Sequence, residues 1–69
     1  MPIHEEAVLR ILSEATEPLF ASEIAERLNL QLRPAVAYTT IGVRGGLRGL
    51  HEQAMLLADG RWMLKRLMR

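Results

Sequence analysis

The sequence predicts one mainly helical domain spanning residues 1–69, in which three helices are closed by a small β-hairpin. Three observations lead there. Apolar residues recur at helical spacing in three separate segments. Pro18, Asn29 and Pro34 punctuate the chain between them. Near the end, Asp59-Gly60 separates two short apolar runs, the residue pair most favoured in tight hairpin turns.

The first helix is expected over roughly residues 3–16. Ala7, Val8, Ile11, Leu12 and Ala15 fall on one face. Glu5 and Glu6 stand in the first turn, where the helix dipole favours anions. Pro18 closes the segment, because the residue before a proline is pushed out of helical geometry. Leu19 and Phe20 then form a short apolar link suited to a brief strand or an extended contact. Ser22 is the expected N-cap of the second helix. Its inner face is Ile24, Ala25 and Leu28, with Glu23, Glu26 and Arg27 facing water and Asn29 suited to end it.

Residues 30–38 read as a turn with apolar anchors, Leu30, Leu32, Pro34 and Val36. Beyond them Val36, Val43, Leu47 and Leu50 share a face, with Thr40 filling the gap between the first two. Two third helices fit this pattern. One is long and runs from Pro34 to about residue 53; the other is shorter and starts at a cap on Thr39 or Thr40. After it, the run Ala54 to Leu57 is the first hairpin strand, Asp59-Gly60 a two-residue turn with positive φ at both positions, and Arg61 to Lys65 the return. The hairpin is expected to bury Leu56, Trp62 and Leu64. Arg66 to Arg69 form a basic tail or a helical stub.

The net charge of +1 conceals an asymmetry. Residues 1–32 hold two arginines against six glutamates, a net of −4; residues 33–69 hold seven basic side chains against Glu52 and Asp59, a net of +5. A basic half points to a polyanion as partner. The chain contains no cysteine, which excludes a disulfide staple and a thiolate metal site. There is no apolar run near the ~20 residues of a membrane span. The opening residues lack a signal-peptide pattern. A soluble, cytoplasmic chain without membrane contact is expected.

At this point the sequence resembles the winged helix-turn-helix superfamily. The run Ser22-Glu23-Ile24-Ala25-Glu26-Arg27-Leu28-Asn29-Leu30 is similar to the family's positioning helix, with an aliphatic–Ala pair followed three residues later by Leu. Asn29 stands where the family commonly has Gly. Val43, Leu47 and Leu50 match the inward face of a recognition helix, Ala54-Met55-Leu56 the entry into the first wing strand, and Asp59-Gly60-Arg61-Trp62 a wing tip. The resemblance selects the shorter third helix, starting near Thr39. It also leaves about seven more residues between Leu30 and that helix than a minimal member has.

The resemblance implies binding of duplex DNA by a small, sequence-specific transcription regulator. The third helix would lie in the major groove and the hairpin would serve as wing. With Val43, Leu47 and Leu50 inward, Ile41, Arg44, Gly45, Arg48 and Glu52 lie on or beside the outer face. The implied contacts are Thr39, Thr40, Ile41, Arg44, Gly45, Arg48, Arg61 and Lys65, with Arg66 and Arg69 adding phosphate contacts. Arg44 and Arg48, one turn apart, are suited to guanine edges or phosphate. One module covers little DNA, so a homodimer on a palindromic site is expected. Leu64, Leu67 and Met68, or the first helix, would form its interface.

Gly42, Gly45, Gly46 and Gly49 all fall in the third helix, and each costs up to about 1 kcal/mol there relative to Ala. They mark either a strip without side chains, open to close approach, or a broken helix. Arg44-Gly45-Gly46 is a lone RGG triplet without the repetition of disordered RGG tracts. Ile41-Gly42-Val43-Arg44-Gly45 loosely resembles the loop with which KH domains grip nucleic-acid backbone, but the N-terminal segment reads as helix, not strand.

Catalytic patterns are lacking. His4 and His51 have no spaced ligand partners, no serine sits in a nucleophile elbow, and no Gly-Lys-Ser/Thr follows the glycines. No enzyme activity, cofactor, metal or small-molecule substrate is expected. The alternative function is a protein-interaction module of the same fold, in which a partner helix lies on the glycine strip and the acidic half docks.

Overall fold

The computed structural model describes residues 5–65. Among them are three helices, α1 (Glu5–Glu14), α2 (Ala21–Leu32) and α3 (Thr40–Gly49), followed by strands β1 (Ala54–Leu56) and β2 (Trp62–Leu64). This is the expected three-helix-plus-hairpin layout of a winged helix. The tail residues Arg66 to Arg69, with the dimer contacts read onto Leu67 and Met68, lie outside the described residues. No described helix is long and apolar enough to cross a membrane.

α1 stops at Glu14, earlier than its apolar stripe suggests. Its last turn tightens, with the Ala15 N–H shared between the carbonyls of Ile11 and Leu12 at 3.1 and 3.3 Å. Leu19 then makes the extended contact anticipated for it, pairing antiparallel with Trp62 through two backbone bonds of 3.0 and 2.7 Å.

Ser22 is not the cap of α2. The helix begins one residue before it, with extended Phe20 in the N-cap position, and Ser22 is an exposed residue of the first turn. The Glu23 carboxylate accepts the Phe20 N–H at 2.8 Å. That is the carboxylate half of a capping box, which a phenylalanine side chain cannot reciprocate. Nor does Asn29 end the helix. α2 runs on to Leu32, and Arg33 takes the left-handed conformation (φ 45°), its N–H bonded to the Asn29 carbonyl at 3.1 Å. Asn29 instead uses its side chain on the loop that follows.

α3 starts where the shorter reading placed it. Thr39 is the N-cap, its Oγ1 accepting the Gly42 N–H at 3.0 Å. The helix persists through all four glycines. Burial of Val43, Leu47 and Leu50 against α1 and α2 offsets their cost: a buried aliphatic contributes about 1.5–3 kcal/mol, more than a glycine removes. Ile24, Leu28 and Leu47 are the most enclosed side chains, so the core centres on the α2–α3 crossing. Val8, Ile11 and Leu12 of α1 cover one side, and Ala54, Trp62 and Leu64 of the hairpin another.

β1 and β2 are antiparallel with Ala54 opposite Leu64, Met55 opposite Met63 and Leu56 opposite Trp62. Two expectations are corrected here. The turn is a three-residue loop, Ala58-Asp59-Gly60, held by Leu57 N–H to Arg61 O (2.7 Å) and Gly60 N–H to Leu57 O (3.0 Å). Only Gly60 has positive φ, 95°. Asp59 keeps negative φ because its Oδ1 accepts the Arg61 N–H at 3.1 Å, locking an alternative turn. Leu56 is 54 % exposed, while Trp62 and Leu64 are buried as expected. Leu56 lies at the turn end of the hairpin, opposite Trp62, and overhangs a groove instead of entering the core.

Candidate nucleic-acid interface

α3 is fixed on its inner side by Val43 and Leu47, which are buried. The opposite side is therefore held outward by the core. Ile41, Arg44, Gly45 and Arg48 are all exposed there. Thr40, Arg44 and Arg48 form one wall of a groove of about 420 Å³. Phe20, Ala21 and Trp62 line it from the body, and Leu56 and Gly60 from the hairpin. The structure thus brings together three of the sequence-predicted contacts and sets the hairpin across from them. α3 itself contains no carboxylate, and among the described residues neither Arg44 nor Arg48 has an ion-pair partner.

The remaining predicted residues are distributed differently. The Thr39 hydroxyl is engaged as the cap, and Thr39 lines a second cavity of about 300 Å³ with Gly42, Val43 and the connection residues Pro34, Val36, Ala37 and Tyr38. Gly45 has open space where a Cβ would stand. Lys65 is exposed but faces a third cavity, of about 250 Å³, lined also by Leu9, Leu64, Gln53 and Glu52. Glu52 does not extend the outer face of α3, because the helix ends at Gly49 and the chain turns before reaching it.

Arg61 does not project freely from the hairpin. Its guanidinium lies over the Phe20 ring, 5.1 Å from the centroid, with Glu17 Oε1 at 3.8 Å and Asp59 Oδ2 at 3.5 Å. Its Nε is buried and faces Asp59 at ion-pair distance without forming a hydrogen bond. The cluster ties the hairpin to the α1–α2 turn and compensates the Arg61 charge locally.

Two contributors escaped sequence reasoning. Phe20 looked like a linker residue, yet it lines the groove and stacks under Arg61. The aromatic two residues after Pro18, with Glu23 three residues further on, was the available signal. The bond between Asn29 and Tyr38, which sets where α3 begins, left no local signal, since the partners are nine residues apart.

Comparison of the chain with protein-family models, curated proteins and solved structures found no match. Among the described residues, no group of three His, Asp or Glu side chains is arranged to hold a metal ion.

Proposed function

We propose that this chain is a winged-helix module that binds duplex DNA, serving as a small, cytoplasmic, sequence-specific transcription regulator with α3 in the major groove. The reading is carried by one observation: Arg44 and Arg48, one turn apart on the outward side of a helix without carboxylates, are exposed and unpaired among the described residues. A ten-residue helix is about 15 Å long, which suits a groove about 12 Å wide. Gly45, exposed and with open space at its Cβ position, thins one side of it and permits close approach. A two-fold homodimer would supply the contact area that one module lacks.

The test is a salt titration of affinity for random-sequence duplex, by anisotropy, for the parent and for the double variant Arg44→Ala/Arg48→Ala. The parent is expected to lose affinity steeply, each neutralised phosphate adding about 0.9 to the log–log slope. The double variant should lose duplex binding with its melting midpoint nearly unchanged, because both side chains are exposed. Equal duplex affinity in the two proteins would reject α3 as the DNA-contacting element.

A second reading, a protein-interaction module without DNA binding, is favoured by Leu30, Leu32 and Val36, which are 72 %, 46 % and 83 % exposed around the α2–α3 connection. It predicts no affinity for duplex at low salt.

A further inference from the structure

Ile41, in the first turn of α3, is 81 % exposed. It lines neither cavity that flanks the helix: Thr40, Arg44 and Arg48 face one, Gly42 and Val43 the other. At about 100° per residue, Ile41, Arg44 and Arg48 fall within roughly 60° of one another. The result is an aliphatic knob at the N-terminal end of a convex ridge that carries two cations, bordered by Gly45, which has open space at its Cβ position. Nothing in the fold asks for isoleucine there. It contributes nothing to the core, and β-branching is mildly unfavourable in a helix.

A convex apolar knob beside two guanidinium groups is complementary to a concave surface with anionic walls and an apolar spot. The major groove offers that spot at one base alone, through the C5 methyl of thymine. We propose that Ile41 reads thymine through this methyl, beside the bases or phosphates held by Arg44 and Arg48. The inference rests on the duplex-binding reading above and adds the base that is recognised.

The experiment begins with the duplex that the full chain selects from a random library. Each thymine in it is then replaced singly by uracil, which removes only the methyl. At one position the parent should bind the uracil duplex about fourfold more weakly, the equivalent of one buried methyl group. Ile41→Ala should bind the two duplexes equally, and its melting midpoint should be unchanged because the side chain is exposed. Thymine and uracil duplexes bound equally by the parent would overturn the proposal while leaving DNA binding intact. The same thymine preference in Ile41→Ala would also overturn it. So would a change of oligomeric state in Ile41→Ala, by sedimentation, with the preference retained, since Ile41 would then serve a protein contact. Failure of the parent to retain any duplex would defeat the function reading, and this one with it.

Discussion

The side chain of Asn29 forms a two-bond clasp with the backbone of Tyr38: Oδ1 accepts the Tyr38 N–H at 2.7 Å, and Nδ2 donates to the Tyr38 carbonyl at 3.1 Å. The amide acts as a peptide unit would, satisfying both main-chain groups of a half-buried residue. It closes the seven-residue connection between α2 and α3 and fixes the residue that precedes the Thr39 cap. The start of α3 therefore depends on a side chain in a different helix.

Asn29→Ala removes both bonds and leaves two backbone groups in a partly buried site without these partners. Destabilisation of about 1–3 kcal/mol is expected. Urea denaturation should show a lower midpoint. Asn29→Asp keeps the acceptor but turns an oxygen toward the Tyr38 carbonyl, so it should be at least as damaging as alanine. If Asn29→Ala unfolds at the parental midpoint, the clasp does not hold the loop.

Periodicity made the three helices legible, because each must bury one stripe to exist at all. Val8, Ile11 and Leu12, then Ile24 and Leu28, then Val43 and Leu47 stand out in the sequence and are buried in the structure. Element ends were less legible, because they are set by bonds between parts of the chain that local reading treats separately. Asn29 looked like a helix terminator, but its amide was needed at Tyr38, so α2 ran on to Leu32. The turn was misread for a related reason: the Asp59 side chain bonds the Arg61 N–H and selects a three-residue loop. Within the candidate site, the outward pair Arg44 and Arg48 follows from helical spacing. The engagement of Arg61 by Phe20, Glu17 and Asp59 depends on tertiary proximity, on which local spacing is silent.

The glycines of α3 give predictions that separate stability from binding. A Cβ at Gly45 or at Gly46 meets nothing within 4 Å. Alanine at either should stabilise the helix by about 0.5–1 kcal/mol. Gly46 is half-buried, and Gly45 lies on the exposed ridge beside Ile41. Gly46→Ala is expected to raise the melting midpoint and leave duplex affinity alone. Gly45→Ala should raise the midpoint and weaken duplex binding, since its methyl would hold the backbone away. Unchanged affinity in Gly45→Ala would argue against close approach of the nucleic acid along this side.

Two described residues occupy left-handed backbone, and they should respond in opposite directions. Arg33 has φ 45°, where a Cβ is strained, at the end of α2. Arg33→Gly is expected to stabilise the protein by a few tenths to about 1 kcal/mol. Gly60 has φ 95° and a Cβ position 3.5 Å from the Phe20 ring. Gly60→Ala should destabilise it by about 1 kcal/mol or more. Thermal melts of the two variants on either side of the parent would establish both assignments; a stabilising Gly60→Ala would contradict the turn geometry.

Arg61 is the residue at which position and availability differ most. As the basic side chain following the loop tip it is expected to contact phosphate, yet it stacks on Phe20 and faces two carboxylates. Those partners are themselves largely exposed, so each pair is worth only about 0–1 kcal/mol. Arg61→Ala should therefore destabilise the fold by about 1 kcal/mol or less. Because its charge is already compensated, the same variant should weaken duplex binding less than Arg44→Ala or Arg48→Ala does. Glu17→Gln removes one of the competing carboxylates. It is expected to strengthen duplex binding and to steepen the log–log salt dependence by up to about 0.9, the contribution of one additional phosphate contact. Anisotropy titrations across a salt series resolve both effects. A loss of affinity in Arg61→Ala as large as in Arg44→Ala would mean that the Phe20–Arg61 stack opens when nucleic acid arrives, and that the hairpin, not α3 alone, carries the charge to the phosphates.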